Sequence, residues 1–194
     1  DSAAAKETVT TESTSLKLYG NASTLENDKL TYYITKSEPN ADGIGTTEKL
    51  EKHELELTKT GIIENSDQAS GDQIFFVNGG TLKLESGVLR NKANNKRVVC
   101  VSGGSFHMSG GYIVGGKHHH GGGGVYICQN NNGTMTMIGG VIAANQSHLG
   151  GGICAEDGTL DLSDGVVTGN QVDEYGNGGG IYVTNATLNL SGDA

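Results

Sequence analysis

The 194-residue chain contains no tryptophan, one proline and two arginines, although 32 of its residues are glycine. So much glycine without proline or a three-residue period excludes a collagen-like fibre and is typical of many tight turns. Wholly apolar runs are only a few residues long. The sequence therefore predicts neither a membrane-spanning helix nor a signal peptide.

Positive charge is also scarce. Thirteen Lys and Arg residues oppose 22 Asp and Glu residues, which gives a formal net charge of −9. The one basic cluster comprises Lys92, Lys96 and Arg97. Because a nucleic acid partner requires a basic face that attracts phosphates, this composition argues against nucleic acid binding.

One phrase occurs five times: an apolar triplet, a turn, two apolar residues alternating with polar ones, and then glycine with another apolar pair. The fourth copy comprises residues 153–155, 159–162 and 165–167, and the fifth stops before its third part. The first alternating apolar residues of successive copies are 24, 29, 25 and 28 residues apart. These residues are Leu82, Phe106, Met135, Leu160 and Leu188. A period in the twenties is typical of a solenoid.

The alternation identifies the kind of solenoid. Alternating apolar residues indicate strands with one buried face, and three short strands with turns use about 20 to 30 residues. Neither the three-and-four spacing of helical repeats nor the frame of leucine-rich repeats occurs. We predict an all-β parallel β-helix of about five to six coils, stacked about 4.8 Å apart. The residues expected inside are Leu82, Leu84, Phe106, Met108, Met135, Met137, Leu160, Leu162, Leu188 and Leu190.

The phrases at 158–170 and 178–183 resemble repeats of the pectin-lyase-like right-handed parallel β-helix superfamily. They are most similar to its non-enzymatic branch, the bacterial surface adhesins with polymorphic-outer-membrane-protein-like repeats. The resemblance covers roughly residues 54–194 and implies a right-handed coil. It is less specific for function, because the superfamily includes lyases, hydrolases, adhesins and phage tailspikes. The terminal asparagine of such repeats occurs at Asn145 and Asn170, whereas Lys92 and Gly116 occupy the matching places, so any asparagine ladder is expected to be short.

The first part of the chain differs in composition. Residues 1–15 are mostly Ala, Thr, Ser and Glu, which predicts a disordered leader or linker. Residues 16–53 have two strand-like segments and are predicted to form an N-terminal cap, because the end of a solenoid exposes unpaired strand edges. Residues 54–194 are predicted to form the solenoid, which halts in mid-coil. We expect the chain to be part of a longer protein.

The three cysteines are predicted to be free thiols. Cys100 and Cys154 hold the same place two coils apart, which separates their Cα atoms by about 9 to 10 Å. Cys128 lies two residues further along the intervening coil, at about 8 Å from either. A disulfide requires a Cα separation under about 7 Å, so the coil geometry is expected to forbid bridging.

Catalytic and metal sites are not predicted. Polysaccharide-cleaving enzymes on this fold need convergent carboxylates, or Ca²⁺ with an arginine base. The outward-facing column holds one carboxylate among Lys83, His107, Thr136, Asp161 and Asn189. Asp157 and Asp164 fall at turns, where aspartate is common. His118 and His120 are the candidates for metal ligands, but no Cys, Asp or Glu near them in sequence completes a tetrahedral set, so no metal or other cofactor is expected.

The middle residues of the five triplets form a second column, comprising Phe76, Cys100, Tyr126, Cys154 and Tyr182. Since their neighbours are expected to point inward, these side chains are expected to point outward. We predict a ligand-contact strip at Phe76, Tyr126 and Tyr182, because exposed apolar strips mark contact surfaces and sugar rings stack on aromatic rings. The alternative is that the cap or an adjacent loop covers the column.

Two classes of function stay open at this point. The first is a structural or adhesive module of a bacterial cell-surface or secreted protein, a rigid extracellular stalk that displays a surface to a glycan or a cell-surface protein. The alternative is a polysaccharide-binding or polysaccharide-cleaving β-helix. Three carboxylates within about 5 to 9 Å on one exposed sheet would favour cleavage.

Overall fold

A computed structural model describes residues 16–19, 23–26, 28–41, 45–56, 61–64 and 71–192. These residues form strands and loops, and none of them forms a helix that could cross a membrane. The strands are β1 (Leu16–Tyr19), β2 (Thr24–Glu26), β3 (Lys29–Pro39), β4 (Thr46–Glu56), β5 (Ile62–Glu64), β6 (Gln73–Asn78), β7 (Thr81–Leu84), β8 (Val88–Arg90), β9 (Arg97–Ser102), β10 (Ser105–Val114), β11 (Lys117–Gly121), β12 (Val125–Ile127), β13 (Thr134–Ala143), β14 (Gln146–Leu149), β15 (Ile153–Ala155), β16 (Thr159–Thr168), β17 (Gln171–Asn177), β18 (Ile181–Val183) and β19 (Thr187–Leu190).

The repeats form a parallel β-solenoid of about five turns, as predicted. Strands β6, β9, β12, β15 and β18 pair side by side in a five-stranded triplet sheet, one strand from each coil. The long sheet contains β5, β7, β8, β10, β13 and β16, with β1 and β19 also paired to β16. The outer sheet contains β11, β14 and β17. Residues that are equivalent in the repeat face one another, since Phe106 pairs with Leu82 and Met135, and Leu160 pairs with Met135 and Leu188.

The core lies between the triplet sheet and the long sheet, where the alternating apolar side chains interdigitate. Of the ten residues predicted inside, seven are buried and Leu82 packs partly buried against them. The prediction is wrong for Leu188 and Leu190, which are 38% and 58% exposed. They lie in the last described coil, and no further described coil packs on that side.

A bend inside each long strand explains the glycine of the repeat. β10, β13 and β16 pass through Gly111, Gly140 and Gly165 with φ values of 78°, 92° and 109°. Side chains rarely adopt this conformation. A Cβ on Gly111 would also lie 2.8 Å from the Gly87 carbonyl oxygen of the preceding coil. Only glycine therefore lets the strand bend while the coils stay in contact.

Strands β2, β3 and β4 form an antiparallel sheet on the flank of the solenoid, which we call the N-terminal sheet. Its Leu30 and Tyr32 pack against Val88, Val114 and Val141, which belong to three successive coils. The second halves of the long strands are therefore buried on both faces. The segment predicted as a cap, residues 16–53, contributes most of this sheet, and the predicted boundary at 53/54 falls inside β4. The predicted leader, residues 1–15, lies outside the described residues.

A short asparagine row lines one corner of the coil, as predicted. The Asn145 side-chain amide donates to the Asn170 Oδ1 at 3.0 Å and to the Ile113 and Ala143 carbonyl oxygens. Its Oδ1 accepts the Gly116 amide at 2.8 Å. The row stops at Gly116 because a Cβ there would lie 1.8 Å from the Gly123 carbonyl oxygen.

Candidate functional site

The outer sheet forms a second layer beside the triplet sheet. Each of its strands ends at a run of glycines, and the chain then turns sharply into the triplet strand of the same coil. His118, Ser147 and Val172 occupy one register position across the sheet. His118 and Ser147 are buried although they are polar. This layer was not predicted, because its strands are polar and lack the apolar alternation of the repeat.

The second column has the predicted register and direction. Phe76, Cys100, Tyr126, Cys154 and Tyr182 pair in order along the triplet sheet. Their neighbours Val125 and Ile127 are fully buried in the core, so the side chains between them point outward.

The outer sheet covers the middle of this column. Cys100 and Cys154 are buried, Tyr126 and Tyr182 are partly buried, and Phe76 is 56% exposed. A Cβ on Gly121 would lie 2.9 Å from the Cys154 Sγ and 3.4 Å from the Tyr126 ring, so the backbone of β11 passes directly over them. The predicted contact strip is therefore interrupted, and at Tyr126 and Cys154 the covering element is the outer sheet.

Arg97 fills the space between the two layers. Its Nη2 lies 2.9 Å and 3.0 Å from the two ring nitrogens of the buried His118. Its Cζ lies 4.1 Å from the centre of the Tyr126 ring, which is a cation–π contact. The Tyr126 hydroxyl donates to the Glu156 carboxylate. The contact of Arg97 with His118 therefore joins the triplet sheet to the outer sheet, whereas Tyr126 and Glu156 both belong to the triplet-sheet side.

This arrangement changes the protonation of two groups. Burial, together with the nearby Arg97 charge, lowers the pKa of His118 to about 4. Burial and the hydrogen bond to Glu156 raise the pKa of the Tyr126 hydroxyl. Both side chains are therefore neutral near pH 7, and the Arg97 guanidinium donates to a neutral imidazole.

The His118 pKa predicts a loss of stability in mild acid. An unfolded histidine binds its proton near pH 6.5, whereas folded His118 binds it only near pH 4. The unfolded state therefore takes up the proton first, and the free energy of unfolding falls as the pH drops from about 6.5 to 4. We expect this fall to be steeper than in His118→Gln, by at most about 1.4 kcal/mol per pH unit. Urea denaturation at several pH values measures it.

The matched control is His107→Gln, which replaces an exposed imidazole on the long sheet. Its stability profile is expected to follow that of the wild type through the same pH range. Identical profiles for the wild type and His118→Gln would contradict the burial of a neutral His118.

The cysteines are all free thiols, as predicted. The geometric reason given for them is wrong for one pair, because the Sγ atoms of Cys100 and Cys128 lie 2.7 Å apart. The expectation considered only the backbone separation, whereas two side chains on one face can reach toward each other. Cys128 follows directly after β12, and its amide donates to the Val101 carbonyl oxygen at 2.9 Å, which continues the pairing of β12 with β9. Alternation along the strand places Cys128 on the same outward side as Tyr126 and Cys100.

A shallow groove of about 210 Å³ lies on the outer sheet. It is lined by Asn95, Lys117, His118, His119, Gln146, Ser147 and Asp173. The His119 amide donates to the Asn95 Oδ1 at 3.3 Å, and the His119 ring contacts the same oxygen. Asp173 pairs with the ring of His148 at 2.7 Å. The groove therefore presents amide, imidazole, ammonium and carboxylate groups from successive coils to solvent.

The metal-ligand candidates do not converge. Both ring nitrogens of His118 face Arg97, whose positive charge disfavours a metal cation. In the described part of the chain, no three His, Cys, Asp or Glu side chains converge as metal ligands. The run 118–120 instead helps to build the groove, and it was the one sequence signal that pointed to this surface.

The carboxylates near the end of the chain bind backbone groups and a neighbouring side chain. Asp157 and Asp164 accept the amides of Gly158 and Gly165, which is turn chemistry, and Asp161 accepts from Asn189 at 2.7 Å. Backbone hydrogen bonds, the Gly158 amide first, lower the pKa of Asp157. These contacts suit structural roles at turns and between coils.

Comparisons with known proteins supply no further information about the site: no protein-family model, curated protein or solved structure matches the chain. The strand pairing shows a parallel β-solenoid, which is compatible with the fold that the resemblance of the repeats implies. The superfamily and its adhesin branch are not shown by similarity to any known protein. Any proposal for function therefore depends on the geometry of the outer sheet and its groove.

Proposed function

We propose that the chain is a structural and adhesive module of a bacterial cell-surface or secreted protein. The solenoid serves as a rigid stalk, and the groove on its outer sheet contacts a glycan. The observation that carries the proposal is the groove itself, with polar side chains from successive coils open to solvent. An extracellular location and membership in the pectin-lyase-like superfamily, with its right-handed coil, belong to the same proposal and are supported by the recurring repeat phrase.

The groove suits a neutral glycan. Sugar hydroxyls both donate and accept hydrogen bonds, and the amides, imidazole and carboxylate of the groove offer both kinds of partner. The side chains recur at the coil spacing of about 4.8 Å, so successive sugar units of a linear polymer can meet equivalent positions. The net charge of −9 and the presence of Asp173 disfavour an acidic polymer.

The predicted contact strip keeps one exposed aromatic member. Phe76 is 56% exposed on the outer face of the triplet sheet, whereas Tyr126 is engaged with Arg97 and Glu156. Phe76, with the partly exposed Tyr182, offers an apolar surface for a sugar ring or a protein partner. This use of the strip stays a prediction.

Binding to soluble polysaccharides tests the proposal. We expect the chain to bind a neutral galactomannan more tightly than polygalacturonate. Replacing both His119 and Asp173 by alanine is expected to weaken galactomannan binding at least about tenfold, because two hydrogen-bonding side chains are lost. Isothermal titration calorimetry measures the change.

His107→Ala is the matched control, because it removes an exposed histidine from a different sheet. It is expected to bind like the wild type. The assignment of the groove would be overturned if His107→Ala weakened binding as much as the double replacement of His119 and Asp173, or if the chain bound neither polymer. The appearance of new reducing ends during incubation would instead favour the alternative, a polysaccharide-cleaving β-helix.

A further inference from the structure

Two thiols meet between neighbouring coils beneath the outer sheet. Cys100 lies in β9 and Cys128 follows β12, and their Sγ atoms are 2.7 Å apart, about 0.7 Å longer than a disulfide bond. Cys100 is 3% exposed, whereas Cys128 is partly exposed. Cys154 occupies the next place in the same column and is fully buried. The pair thus has one sulfur that a small reagent can reach and a second one directly behind it.

The surroundings of the pair favour a thiolate. The Arg97 guanidinium lies in the same layer, held over the Tyr126 ring. The hydrogen bond between the two thiols lowers the pKa of Cys100 and raises the pKa of Cys128, so the proton that they share lies on Cys128. The Arg97 charge also lowers the pKa of Cys100. By contrast, burial raises the pKa of Cys154 to about 12. Reactivity is therefore expected at the pair and not at the third cysteine.

We propose that Cys100 and Cys128 form a thiol–disulfide exchange site that reacts with low-molecular-weight disulfides and links two coils of the solenoid covalently. Cys128 transfers its proton to the Cys100 thiolate, and the Cys128 thiolate then attacks one sulfur of the small disulfide and releases the first small thiolate. The released thiolate takes the proton from Cys100. The Cys100 sulfur then attacks the Cys128 sulfur of the mixed disulfide and displaces the second small thiolate, which takes a proton from water. Two electrons pass from the protein, and one small disulfide becomes two thiols.

Thiol counting after treatment with glutathione disulfide tests the site. The folded chain is incubated, quenched with acid, denatured without reductant and alkylated, and its mass is measured. We expect three alkylated cysteines before treatment and one afterwards, with peptide mapping locating the bridge at Cys100–Cys128. At a fixed glutathione ratio, the ratio of disulfide to dithiol is expected to be at least about tenfold higher in the folded chain than in the chain in urea.

Variants distinguish this site from general oxidation. After treatment with glutathione disulfide, the Cys154→Ser variant is expected to contain no alkylated cysteine, because its two remaining thiols form the bridge without Cys154. Cys128→Ser removes only the partly exposed sulfur and is expected to form no intramolecular bridge. Three alkylated cysteines after equilibration with excess glutathione disulfide would overturn the proposal, and so would a bridge containing Cys154 or equal ratios in the folded and denatured chains.

Discussion

Replacing Leu160 by alanine is expected to reduce the free energy of unfolding by about 2 to 5 kcal/mol. Leu160 is fully buried, and it lies between Met135 of the preceding coil and Leu188 of the following one. Removing its side chain leaves a cavity that the stacked coils cannot close, since each coil is fixed by backbone hydrogen bonds to both neighbours. Guanidinium denaturation followed by circular dichroism measures the loss, because the chain has no tryptophan.

The repeat supplies a control with the same chemistry. Leu188 occupies the equivalent position one coil later, but it is 38% exposed. Leu188→Ala is expected to cost less than about 1 kcal/mol, because part of the side chain already contacts water. Equal losses for the two variants would mean that burial in the described core does not determine the stability of the coils.

The solenoid could be predicted because its signal is repeated. The alternation around Leu82, Phe106 and Met135 recurs at a period that fits three short strands, and parallel stacking places these residues opposite one another. The same alternation also predicted the outward direction of the triplet column. Periodicity reports which face of a strand is buried in the nearest core, and here that core is the inside of the coil.

The second layer could not be predicted in the same way. β11, β14 and β17 are polar, and His118 is buried because it packs against Arg97, a partner from a different strand. Such a pair has no periodic signal, since only the fold brings the two residues together. The contact of Cys100 with Cys128 was missed for a related reason, because it depends on how two side chains on the same face reach toward each other and not on the backbone spacing.

The repeat pattern also does not indicate that the N-terminal sheet packs on the flank of the solenoid. Adjacent apolar residues such as Val141 and Ile142 end each repeat unit, and a strand places their side chains on opposite faces. Ile142 lies in the solenoid core, whereas Val141 packs with Leu30 beneath the N-terminal sheet. Two adjacent apolar residues in a strand therefore indicate burial on both faces, and the sequence does not name the element that covers the second face.

Replacing Gly116 by alanine is expected to destabilise the fold by about 3 kcal/mol or more, a large effect for adding one methyl group. The added Cβ would lie 1.8 Å from the Gly123 carbonyl oxygen and 2.4 Å from its carbonyl carbon. Gly116 cannot move away easily, because its amide donates to Asn145 at 2.8 Å and its carbonyl accepts the Gln146 amide at 2.7 Å. Relief of the clash therefore requires breaking the corner of the coil.

Gly80→Ala is the control that separates this clash from the general effect of removing a glycine. Gly80 also lies at a corner, but an added Cβ meets no atom within 4 Å and the backbone is outside the left-handed region. Its replacement restricts the unfolded chain and is expected to leave stability unchanged or to raise it by up to about 1 kcal/mol. In guanidinium denaturation, Gly116→Ala is therefore expected to lower the unfolding midpoint, whereas Gly80→Ala is expected to leave the midpoint unchanged or to raise it. Similar midpoints for both variants would show that the corner at Gly116 relaxes freely, in contradiction to the close approach of Gly123.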